Sequence, residues 1–116
     1  MIRLYHNPRC SKSREALSLL ENASAEVEVI DYLKTPPGVE ELTRLLQLLE
    51  LEPRQLMRRK EEEYSAPDLD DITLTPEQLI RALADNPRLL ERPIAVAGEH
   101  AVIGRPPERV LALLES

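Results

Sequence analysis

The 116-residue chain contains no phenylalanine, no tryptophan and only three tyrosines. An aromatic core is excluded, so leucine, isoleucine and valine must fill the interior from the 42% of residues that are apolar. The single cysteine, Cys10, cannot close an internal disulfide, which excludes a disulfide-stapled scaffold and a four-cysteine zinc site. Basic residues are also in deficit: 15 Lys and Arg face 21 Asp and Glu, leaving a net charge of −6 at pH 7. That balance argues against a broadly basic nucleic-acid surface. No apolar run approaches the roughly 20 residues that cross a bilayer, and the opening MIRLYHNPRC lacks the apolar stretch of a secretory signal. The expectation is one soluble, cytoplasmic domain with no nucleic-acid or membrane partner. A chain of this length buries roughly two-thirds of the surface it exposes when unfolded. One core can use all the leucine-rich segments, so a monomer is expected.

The chain alternates between two hydrophobic periods. Ile2-Arg3-Leu4-Tyr5 alternates as a strand and stops at Asn7-Pro8. Ala16, Leu17 and Leu20 then fall at helical spacing between Ser11 and Asn22, and Val27-Glu28-Val29-Ile30 reads as a second strand. Val39, Leu42, Leu45, Leu46 and Leu49 mark one buried face of a further helix, and Glu40 and Glu41 suit its N-terminal dipole. Pro53 opens a short helix through Met57. Lys60-Glu61-Glu62-Glu63 reads as a solvated charge run, and turn formers dominate residues 66–71. Thr75-Pro76-Glu77-Gln78 is a strong helix start: Thr75 caps, Pro76 fits the first helical position and Gln78 completes a capping box. Ile94–Ala97 and Ala101–Ile103 flank Gly98-Glu99-His100 as an antiparallel hairpin, and Pro106-Pro107-Glu108 opens a last helix. The order β-α-β, a helical block, then β-β-α predicts an α/β fold with a mixed sheet. The first crossover should be right-handed.

Cys10 lies in a loop between the first strand and the first helix. Unpaired N–H groups and the macrodipole at a helix start both favour negative charge there. A thiol with an ordinary pKa of about 8.5 drops at such a place, and nearby cations add to the effect. Arg9, Lys12 and Arg14 are the local cations. His6 shares the loop and is a candidate hydrogen-bond donor to a thiolate or to Asn7. The chemistry indicated is that of a nucleophilic thiolate. Cys10, His6 and His100 show no metal-ligand spacing, and His100 is expected to be exposed.

The segment Tyr5-His6-Asn7-Pro8-Arg9-Cys10-Ser11-Lys12-Ser13-Arg14 resembles the N-terminal motif of the glutaredoxin-linked arsenate reductases, in which Tyr-His-Asn-Pro precedes the catalytic cysteine. Asp31-Tyr32-Leu33 with Pro36-Pro37, Leu56-Met57-Arg58-Arg59 with Tyr64, Arg92-Pro93-Ile94-Ala95-Val96, and Gly104-Arg105-Pro106 resemble further segments of that family in register. The resemblance implies a single thioredoxin-like domain, with a helical insertion over about residues 38–88. It implies Cys10 as the catalytic thiolate and Arg58, Arg92 and Arg105 as the oxyanion-binding set, with Arg59 the neighbouring alternative for the middle arginine. His6, Asn7, Ser13, Arg14 and Pro93 would support the site, and the Arg92-Pro93 bond would be cis, against a base rate of about 5–6%. Guanidinium groups suit the role, because they offer paired donors in fixed geometry and stay charged.

The activity implied is reduction of arsenate, or reaction with a similar oxyanion. Cys10 attacks arsenic, glutathione acts as co-substrate and glutaredoxin completes the release of arsenite. No bound cofactor is expected. One cysteine fits resolution by an external thiol. The Cys-x5-Arg loop of phosphatase-like reductases is absent, since Arg14 falls four residues after Cys10. Two alternatives share the scaffold. One is a glutathione-linked thiol oxidoreductase that needs no arginine set. The other is a regulator that binds RNA polymerase, of the Spx type, for which Ser13 replaces the second cysteine of a Cys-x-x-Cys switch.

Overall fold

Strand β1 (Ile2–His6) opens the fold in the computed structural model, which describes residues 1–58, 71 and 73–115. The expectations for Arg59, the Lys60–Glu63 run, Tyr64 and the turn formers of 66–70 lie outside the described residues. Ile2 and Leu4 are buried while Arg3 between them is exposed, as the alternation requires. Helix α1 (Ser11–Asn22) follows and buries Ser13, Ala16 and Leu20. Strand β2 (Val27–Asp31) returns parallel to β1, with Ile2 opposite Val27 and His6 opposite Asp31. Strand β3 (Ile94–Ala97) runs antiparallel to β1, and β4 (His100–Ile103) closes the hairpin with β3. The sheet order is β2-β1-β3-β4. One parallel and two antiparallel pairings make it the expected mixed sheet.

The chain divides into two compact units. One comprises Met1–Thr35 with Arg92–Ser116, and the other Pro36–Glu91. In the first, Ile2, Leu4, Ala16, Leu20, Ala95, Val110 and Leu113 form one aliphatic buried cluster, and Tyr5 and Tyr32 are buried in the same unit. Val110 and Leu113 come from the last element, Pro107–Glu115, which winds as a 3₁₀ helix. Residues three apart share a face in either winding, so the spacing of these two predicts a helix without distinguishing its type.

The second unit holds helices α2 (Val39–Leu49) and α3 (Pro76–Asp85). Leu42, Leu45 and Leu46 are the buried residues of α2, and Leu79, Ile80 and Leu83 those of α3. The capping box at the start of α3 forms in both directions: Gln78 N–H donates to Thr75 Oγ1 at 3.2 Å, and Thr75 N–H donates to Gln78 Oε1 at 2.8 Å. The predicted helix at Pro53 is one 3₁₀ turn, Pro53–Leu56. Leu56 and Leu90 are fully packed, and an antiparallel bridge joins Met57 to Leu90. No helix among the described residues is long and apolar enough to cross a membrane.

Candidate active site at Cys10

The loop after β1 is shaped by Asn7. Its carbonyl accepts the Cys10 N–H at 3.0 Å, and its side-chain Oδ1 accepts the Arg9 N–H at 3.0 Å. Its own N–H donates to Ser13 Oγ at 3.0 Å, across the start of α1. Ser13 is fully buried, and its hydroxyl lies 2.7 Å from His6 Nδ1. His6, Asn7 and Ser13 thus clamp the loop to the first turn of the helix. His6 at the end of β1 pairs through Nδ1 with the Ser13 hydroxyl. Burial pushes His6 below the ordinary histidine range. Asp31 opposes that shift and Arg14 adds to it. Arg14 spends one nitrogen on the loop itself, since its Nη1 donates to the Pro8 carbonyl at 2.9 Å.

Cys10 is the N-cap residue of α1, with an extended backbone (φ −97°, ψ 123°) and no capping bond from its side chain. Partial burial pushes the thiol up, but the Ser13 N–H, the Arg92 guanidinium and the Lys12 N–H together outweigh it. The net effect holds Cys10 below its ordinary pKa. Arg105 adds a contact, with Nη2 at 3.9 Å from Sγ. Its Nε donates to the Arg92 carbonyl at 2.8 Å, so the two arginines are tied to each other.

The Arg92-Pro93 bond is cis, as the resemblance implied, and so is Arg105-Pro106, which nothing in the sequence marked. Pro93 is buried, and its carbonyl accepts the Gly104 N–H at 2.8 Å. Gly104 is required there by space: a Cβ would stand 2.8 Å from Pro93 Cγ and 3.1 Å from Val110 Cγ1. This close approach brings the residues after Pro93 and before Arg105 together. Arg58 belongs to the other unit. Its N–H donates to the Leu89 carbonyl at 2.6 Å and its Nε lies 3.9 Å from Glu91 Oε1. His100 is exposed.

Sequence reasoning assigned no role to Tyr32, the residue after β2. It is fully buried, yet its hydroxyl has no hydrogen-bond partner among the described residues, and neither does Arg92 Nε. The sequence signals were its place in the Asp31-Tyr32-Leu33 segment that resembles the family and its rarity, since the chain has three tyrosines and neither phenylalanine nor tryptophan.

A β-α-β unit continued by an antiparallel pair, with a cysteine opening α1 and a cis-proline leading into β3, places the chain in the thioredoxin-like class. Residues 5–113 match the ArsC family, and the chain belongs to it. Among its relatives, the arsenate reductase of Neisseria meningitidis serogroup A is 48% identical over 114 residues, covering 97% of both chains. An uncharacterized Escherichia coli protein, YfgD, is 51% identical over 114 residues, covering 97% of this chain and 96% of its own. The solved structure of an arsenate reductase from Vibrio cholerae superimposes with a TM-score of 0.94 at 52% identity, covering 97% of this chain and 96% of that one.

Proposed function

We propose that this chain is an arsenate reductase whose nucleophile is the Cys10 thiolate. The sulfur attacks As(V), forming an S–As bond as one oxygen departs as water. Glutathione then displaces a second oxygen from the arsenic as water, forming a second S–As bond. Attack by glutaredoxin on the glutathione sulfur passes two electrons to arsenic and removes the pair of thiols as a mixed disulfide. Hydrolysis of the remaining S–As(III) bond releases arsenite and restores Cys10. External thiols are needed because the chain has no second cysteine.

The observation that carries this reading is the presence of two arginines at one sulfur: Arg105 Nη2 at 3.9 Å, and Arg92 acting on the thiolate. A thiol that only exchanged disulfides needs a depressed pKa but not two planar, permanently charged forks. A tetrahedral oxyanion that gains charge during displacement does need them. Each charge-assisted hydrogen bond contributes about 1.5–3 kcal/mol. Asn7, His6, Ser13 and Arg14 hold the loop, and Pro93 packs on Gly104 between the segments that carry Arg92 and Arg105. The chain would act as a single cytoplasmic domain, as a monomer, with residues 38–88 as its helical insertion.

Turnover of arsenate by the purified chain with glutathione and glutaredoxin tests the proposal. Arsenite should appear at a rate that depends on both thiols, and Cys10→Ser should abolish it. Activity retained in that variant, or a wild-type chain inert toward arsenate but active on glutathione mixed disulfides, would overturn it.

A further inference from the structure

Tyr32 has a hydroxyl that the fold does not use. The ring is fully buried and Oη meets no hydrogen-bond partner among the described residues. Leaving a buried hydroxyl unpaired is destabilising, whereas phenylalanine would fill the same space without that cost. A persistent orphan of this kind calls for an explanation.

The surroundings supply one. The polar groups acting on the phenol are Arg92, Asn7 and the Cys10 sulfur, which are the groups that define the candidate site. Arg92 and Asn7 favour the ionised phenol, yet neither completes a hydrogen bond to it. Arg92 Nε is the second orphan, on the guanidinium that acts on both Tyr32 and Cys10. A guanidinium N–H can only donate, and a phenol donates through its single hydrogen. Two unmet donors beside a thiolate are complemented by a species rich in acceptor oxygens. An alkyl disulfide offers no such oxygen at its reacting atoms.

We infer that the Tyr32 hydroxyl donates a hydrogen bond to an oxygen of the tetrahedral oxyanion held at Cys10, beside the Nε of Arg92. The inference rests on the oxyanion reading of the site given above and adds a residue to it. Burial dominates the environment of the phenol and raises its pKa above the ordinary tyrosine value, so the donor proton stays in place at neutral pH. Tyr32 then acts as a neutral reader of the anion, where the arginines supply charge.

Tyr32→Phe in the full chain is the direct test, because it removes one oxygen and keeps the ring. Protection of Cys10 from alkylation by inorganic phosphate and by arsenate reads anion binding. The variant should need about 10- to 150-fold more anion for equal protection, as expected for the loss of one hydrogen bond to a charged acceptor. Its melting temperature without anion should be unchanged or raised, since an unpaired polar group has gone. A purely structural hydroxyl would give the opposite pair of results: lower melting temperature and unaltered protection. Equal protection in Tyr32→Phe, alongside loss of protection in Arg92→Gln, would overturn this inference alone. No protection in the wild-type chain would overturn both it and the oxyanion reading. If the variant does not fold, wild-type chain labelled with 3-fluorotyrosine gives the answer. The Tyr32 resonance, assigned through Tyr5→Phe and Tyr64→Phe, should shift on addition of arsenate, and an unmoved resonance would contradict the inference.

Discussion

Arg105 holds Arg92 by its backbone and faces Cys10 with its tip: Nε donates to the Arg92 carbonyl at 2.8 Å while Nη2 stands 3.9 Å from Sγ. One planar side chain therefore fixes the position of a second arginine and reaches the nucleophile. Lysine cannot do both, because its single ammonium has no fork. Arg105→Lys should lower kcat/KM for arsenate by about 10- to 100-fold, the equivalent of one charge-assisted hydrogen bond. Steady-state kinetics check this, and a loss below threefold would show that the tie to Arg92 is dispensable.

The thiol itself carries a pH prediction. Burial works against ionisation of Cys10, and the Ser13 N–H, Arg92 and the Lys12 N–H together overcome it. Removing the guanidinium in Arg92→Gln should move the alkylation profile of Cys10 to higher pH. The sign for stability follows by linkage. A thiol with a depressed folded pKa adds stability that is present in full above its unfolded value of about 8.5 and is lost as pH falls through the folded value. Cys10→Ser should therefore narrow the stability gap between pH 9 and acidic solution, as read from denaturant midpoints.

His6 gives the complementary case on the acid side. Burial is the main reason its imidazole is held below the ordinary histidine range. Stability from the neutral ring is complete above the unfolded value of about 6.5 and falls as pH drops toward the folded value. The decline should be weaker in His6→Gln. Ser13→Ala removes the hydroxyl that meets both Asn7 N–H and His6 Nδ1, leaving two buried polar groups to be satisfied elsewhere. A loss of about 1–3 kcal/mol is expected from urea unfolding.

Gly104 tests the packing that brings the arginines together. An alanine methyl would press on Pro93 and Val110, neither of which is a flexible chain end. Gly104→Ala should cost about 1–3 kcal/mol through overpacking. It should also slow arsenate turnover, because the displacement falls on Pro93, between Arg92 and β3.

What could be read beforehand depended on distance along the chain. The boundaries of α1, β2, α2 and β3 and the capping box at Thr75 follow from residues within one or two turns of each other. The 3₁₀ winding of Pro107–Glu115 did not, because its apolar spacing fits both helices. The pairing of His6 with Ser13 crosses a loop, and either residue alone has many possible partners. Arg105 meets Cys10 across 95 positions, which no local pattern encodes, and only the resemblance to a family brought the two together in advance. The unpaired hydroxyl of Tyr32 is a tertiary property, since nothing in a sequence says that a partner is missing.

Titration of the Cys10 thiol by alkylation rate, with and without arsenate, tests the central claim most directly. The account predicts a pKa clearly below that of a free thiol and strong, saturable protection by the anion. An ordinary thiol pKa, or a depressed one that arsenate does not protect, would contradict a thiolate held by arginines for an oxyanion.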